Sequence, residues 1–111
     1  MDEGTNHDFL RANTQRQLAS ETILALTIQA RALGEEPTAQ STKEILGITD
    51  SIHRISGCLA RSLELQNEMD EHALEMIAWI VEQLPASLRE HLRSRFQGHA
   101  YKPTDEVQEG T

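Results

Sequence analysis

Glu68 with His72, and Asp50 with His53, stand four and three residues apart, a spacing that sets a carboxylate and an imidazole on one face of a helix. Helical di-metal proteins use a related Glu-x-x-His spacing, and they add inward-facing carboxylates from paired helices. In this chain the first helical segment supplies Glu21 as its internal acid, and the second acidic pair of a magnesium-dependent nucleotide hydrolase is missing. Metal-dependent hydrolysis through Glu68, Glu71, His72 and Glu75 is therefore an alternative, not the main expectation. Other catalytic signatures are missing too. The sequence has no glycine-rich phosphate loop, no His-Glu-x-x-His and no nucleophile elbow, and its five histidines are scattered. The expectation is a non-enzymatic protein with no catalytic, metal-ligating or cofactor-binding residue.

The stretch RSLELQNEMDEHALEMIAWIVEQLP, residues 61–85, carries six carboxylates and no lysine or arginine after its first residue. At about 100° per residue, Glu64, Glu68, Glu71, Glu75 and Glu82 fall within roughly 60° of one another on a helix, opposite an arc that includes Leu65, Met69, Ile77 and Ile80. That order suits the wet side of a bundle helix, and it equally suits an acidic recognition surface. Trp79 lies at the edge of the stripe beside His72, Glu75 and Glu82. An exposed tryptophan in such company would be an anchor for a partner that is both basic and apolar; the alternative is that Trp79 packs against a neighbouring helix or subunit. The following segment has the opposite charge, with Arg89, Arg93, Arg95 and His91 around Leu88, Leu92 and Phe96. Its arginines are a second candidate surface, or pair with the acidic stripe of the same or a neighbouring subunit; an acidic segment just before it argues against DNA reading. The expected partner-binding residues are Glu68, Glu71, His72, Glu75, Trp79, Glu82, Arg89 and Arg93.

Helices must position these groups. The apolar residues are mostly leucine, isoleucine and alanine, with four aromatics in 111 residues, which favours an all-α domain over a sheet. A first helix over 6–33 is opened by Thr5 with Asp8 and closed at Gly34. A second begins after a capping box of Ser41 and Glu44 and meets no proline before Pro85. The sequence thus predicts one uninterrupted helix over 42–84, roughly 65 Å long at ~1.5 Å per residue. A break near Asn67 to Asp70 is the alternative, because Gln66 and Asp70 would otherwise point into the apolar arc; there they would form a polar layer that fixes register. A third capping box, Ser87 with Glu90, opens a short helix over 88–97 that Gly98 closes, and 99–111 form a tail. Residues 1–98 are read as one domain.

Ile45, Ile48, Ile52, Ile55 and Leu59 alternate spacings of three and four, the seam of a coiled coil. They are the expected oligomer interface, where Gly47 and Gly57 would admit another backbone. The first helix has two apolar sides, since Leu10, Leu24 and Ile28 lie nearly opposite Ala19, Ile23 and Leu26. One hairpin covers both poorly, so a homodimeric helical bundle is expected. The net charge of −8 argues against direct binding of nucleic acid or an anionic membrane and steers a basic protein inward. Cys58 is the single cysteine, the N-terminal MDEGTNHDF lacks the features of a signal peptide, and no apolar run reaches a membrane span. The expected compartment is the cytoplasm. The function read from the sequence is binding and regulating or tethering another protein, with an acidic mimic of nucleic acid that inhibits a nucleic-acid enzyme as the alternative.

Overall fold

The computed structural model describes residues 3–96, with side chains from Arg11 onward. The chain folds into four helices with no strand among the described residues: α1 (Glu3–Gly34), α2 (Ala39–Leu65), α3 (Glu71–Gln83) and α4 (Ala86–Phe96). The expected tail at 99–111, the closing glycine at 98 and the opening cap at Thr5 and Asp8 lie outside the described residues or side chains.

α1 and α2 form an antiparallel hairpin, and α3 and α4 pack onto it. The pairing follows from periodicity: α1 turns Leu18, Ala19, Ala25 and Leu26 to one side, and α2 meets them with Ile48 and Ile55. α3 adds Ala73, Ile77, Ile80 and Val81, and α4 closes the cluster with Leu92 and Phe96. All four helices thus share one core.

The hairpin turn differs from its expected chemistry. Thr38, not Ser41, is the N-cap of α2, held in extended backbone at φ −135° and ψ 173° just after Pro37. Its Oγ1 accepts the Ser41 N–H at 3.0 Å, and the Ser41 Oγ accepts the Thr38 N–H at 2.8 Å. Ser41 therefore serves as the third-residue partner of the capping box, where a hydroxyl replaces the usual carboxylate. Glu44 instead accepts from the Gln40 side chain at 2.9 Å.

The largest correction concerns the second helical region. The predicted helix over 42–84 ends at Leu65 and restarts at Glu71, so its alternative, a break at Asn67 to Asp70, is the structure. Gln66 adopts left-handed backbone at φ 53° and ψ 43°. The Ser62 carbonyl accepts from the Gln66 N–H and, at 3.3 Å, from the Asn67 N–H, which closes α2 in the manner of a Schellman turn. Asp70 takes the N-cap position of α3 without a side-chain cap bond; its charge still favours the positive end of that helix. At the other end Leu84 is extended, Pro85 follows, and α4 begins at Ala86 with the Pro85 carbonyl accepting the Arg89 N–H at 2.9 Å. Ser87 is thus inside α4 and not its cap.

Candidate partner-binding surface

The bend divides the acidic stripe. Glu64 stays on α2, Glu68 falls in the joint, and Glu71, Glu75 and Glu82 belong to α3. On α3 the buried positions are Ala73, Ile77, Ile80 and Val81, a spacing that leaves Glu71, His72, Glu75, Trp79 and Glu82 on the other side. Trp79 is 66% exposed. His72 and Glu75, one turn apart and 3.8 Å from each other, flank it in solvent. The predicted cluster around Trp79 is therefore assembled by a single helix whose opposite side is held by the core.

Two of the expected acids are engaged within the chain. Glu68 accepts from the Gln15 amide at 3.4 Å and lies 3.7 Å from Arg11. Glu82 is paired with Arg93, whose Nε donates to it at 3.0 Å, and Arg93 also meets Glu90 at 3.2 Å. The Arg89 guanidinium reaches the carbonyls of Glu82 and Leu84 at 3.5 Å, where α3 ends and its exposed carbonyls favour a cation. Arg95 pairs with Glu21 on α1 at 3.0 Å. So the arginines of α4 face the chain's own carboxylates and carbonyls, and they dock α4 against α3 and α1. Of the expected partner-binding residues, Glu71, His72, Glu75 and Trp79 are exposed on α3.

The proposed oligomer seam has another use. Ile48 and Ile55 are buried in the core and Ile52 and Leu59 pack partly buried against it, while Ile45 is half-buried. Ile48 and Ile55 thus belong to the chain's own core, and Ile45, Ile52 and Leu59 keep part of their surface in solvent. A Cβ placed at Gly47 or Gly57 would meet nothing within 4 Å, so no described part of the same chain packs closely on either glycine. Exposed large apolar residues lie on both helices of the hairpin: Leu24 and Ile28 on the outer side of α1 are 59% and 47% exposed, and Leu46, Leu63 and Leu65 on α2 are 66%, 57% and 59% exposed. Leu24 and Ile28 are the second apolar side of α1 that its sequence pattern displays.

Sequence reasoning missed a polar lock between α1 and the α2–α3 joint. Gln15 is 3% exposed, and its Oε1 accepts the Met69 N–H at 2.8 Å. Arg16 donates to the Ser62 Oγ at 3.0 Å and to the Asn67 carbonyl at 3.2 Å, while the Ser62 Oγ donates to that carbonyl at 2.7 Å. A buried glutamine at a core-facing position of α1 was the available signal, since such an amide must find partners. Among the described residues no group of three or more histidine, cysteine, aspartate or glutamate side chains could hold a metal ion; Glu68–His72 and Asp50–His53 gather no third ligand. Nor is any described helix long and apolar enough to cross a membrane.

Comparison with protein-family models, with curated proteins and with solved structures gives no match. Function is therefore read from this chain's own side chains.

Proposed function

We propose that this chain is a small, non-enzymatic helical protein that binds another protein through the outer face of α3 and so regulates or tethers it. One observation carries the reading: Trp79 is 66% exposed on a helix whose opposite side is core. Leaving so large an apolar side chain in water offers a partner a ready anchor. Glu71 and Glu75 beside it favour a partner with a basic rim around an apolar pocket, and the net charge of −8 raises the encounter rate with such a protein. The reading assigns no cofactor, no direct nucleic-acid ligand and no membrane, and a cytoplasmic location. Self-association into a homodimer belongs to it, with Leu24 and Ile28 as the exposed apolar side of α1. A mimic of nucleic acid has less support, because a ladder of charge needs its carboxylates free and in line; here Glu68 and Glu82 are engaged within the chain.

The test compares capture from a cell extract by immobilised wild type, Trp79→Ala and Glu71→Lys/Glu75→Lys, with helicity checked by circular dichroism. A protein held by wild type and lost by both folded variants is the expected result. Equal retention on all three would remove the α3 face from the proposal.

A further inference from the structure

The buried positions Ser41, Ile48, Ile55, Ser62 and Met69 recur every seven residues, and Ala73, Ile77, Ile80 and Leu84 continue the series at steps of four, four, three and four. The apolar side continues across the α2–α3 joint, with the seven-residue step lengthened to eight between Met69 and Ile77. On a continuous helix at about 100° per residue these positions would lie within roughly 80° of one another, one broad apolar side. The joint also lacks the residues that usually enforce a turn: QNEMD, residues 66–70, contains neither glycine nor proline. Its left-handed residue is Gln66, with φ 53°, a conformation that a residue with a Cβ adopts at a cost. The local cap on Ser62 is joined there by tertiary contacts, Gln15 on the Met69 N–H and Arg16 on Ser62 and Asn67.

We propose that the α2–α3 joint straightens in trans, so that two chains exchange α3 and α4 and form a domain-swapped dimer built on one continuous helix over residues 39–83. Straightening relieves the left-handed backbone at Gln66 and gives the joint's N–H and carbonyl groups helical partners in place of the Gln15 and Arg16 contacts. The core formed by α3 and α4 on α1 and α2 is rebuilt with the second copy, because exchange of identical elements preserves every such contact. Protein concentration offsets the loss of translational freedom. The occupant of each α1–α2 hairpin is then the α3–α4 pair of its twin, and the polar side chains of Gln66 and Asp70 enter the new seam, where polar residues set register. The proposal deepens the self-association reading and makes no use of the Trp79 face.

The experiment refolds the full chain at high concentration and reads its mass by light scattering, alongside a cross-link between α1 and α4. Glu21 and Arg95 are in contact at 3.0 Å; Glu21→Cys and Arg95→Cys in a Cys58→Ser background allow a short bismaleimide to join them. Swapping predicts a dimeric peak in which the cross-link joins two chains on a denaturing gel. Gln66→Gly, which favours the left-handed bend and disfavours helix, should weaken the dimer roughly tenfold per joint, about a hundredfold for the pair, and Gln66→Ala should strengthen it. A dimer whose cross-link stays within one chain would overturn the exchange while leaving face-to-face association standing. A monomer at every concentration, for wild type and for Gln66→Ala alike, would overturn both.

Discussion

The two ends of α3 are built by different means. At its C-terminal end the turn is local: Leu84 is extended at φ −72° and ψ 158°, Pro85 follows it, and α4 starts one residue later. A proline disfavours helical backbone in the residue before it and lacks an N–H for a helical bond, so the turn is written where it occurs. The N-terminal end has no such punctuation. Its local cap at Ser62, Gln66 and Asn67 is braced by side chains some fifty residues upstream, with Gln15 and Met69 separated by 54 positions and Arg16 and Asn67 by 51. One turn belongs to its own sequence and the other draws also on the tertiary structure, and the two should respond differently to substitution.

The largest effect is expected from Gln15. Its amide oxygen is the partner of a buried backbone N–H, so Gln15→Leu keeps bulk but leaves the Met69 N–H unsatisfied in the core. Such a group costs about 1–3 kcal/mol, with the stranded Glu68 contact adding to it. Denaturant unfolding should show the loss as a lower midpoint. Gln15→Glu is the sharper control: its carboxylate oxygen still accepts from Met69 but faces Glu68, so it should recover part of the loss at a pH where carboxylates are protonated and little at neutral pH. An unchanged midpoint for Gln15→Leu would mean that the bend does not depend on α1.

Next comes Ser62, buried beneath the closing turn of α2. Ser62→Ala removes a donor to the Asn67 carbonyl and an acceptor for Arg16, while Arg16 can still reach that carbonyl. The expected cost is about 1 kcal/mol. Amide exchange across 66–70 should quicken more than exchange in α4, because the damage is to the joint.

The same contrast explains what could be read in advance. The all-helical class, the closing of α1 at Gly34 and the restart after Pro85 are carried by local residue chemistry, and each was legible. The apolar side of α3 was legible too, since its period survives the bend. The bend was legible only as the alternative at Asn67 to Asp70, because 42–84 has the pattern of one helix and Gln15 and Arg16, which brace the interruption, meet their partners only in the fold. The acidic stripe was correspondingly overcounted: Glu64, Glu68, Glu71, Glu75 and Glu82 align only if the helix is continuous. The isoleucine seam was legible as periodicity, but that Ile48 and Ile55 enter the chain's own core was not, since spacing defines an apolar face without naming what covers it. Trp79 fared differently because α3 is short and its phase is set by four buried residues.

At the local turn a smaller effect is expected. Pro85→Ala leaves the extended Leu84 and the Arg89 contacts in place, and the prolyl nitrogen carries no hydrogen bond to lose. The change should stay within about 1 kcal/mol, mostly through a freer unfolded chain. Loss of α4 docking in that variant, seen as early exchange of the Leu92 amide, would show that the proline does more than punctuate.

The smallest effect belongs to the ion pair that spans this turn. Arg93 joins Glu82 across it and also touches Glu90, but both partners of the spanning pair are more than a third exposed. Solvent and salt screen such charges, so the coupling of Glu82→Gln with Arg93→Gln in a double-mutant cycle should be about 0–1 kcal/mol and should shrink as salt is raised. The ladder at the joint is buried at Gln15 and Ser62, and the Gln15→Leu loss should persist in high salt. A salt-insensitive coupling at Glu82 and Arg93 as large as the Gln15 effect would erase the distinction, because the turn after α3 would then rest on tertiary side-chain contacts just as the joint before it does.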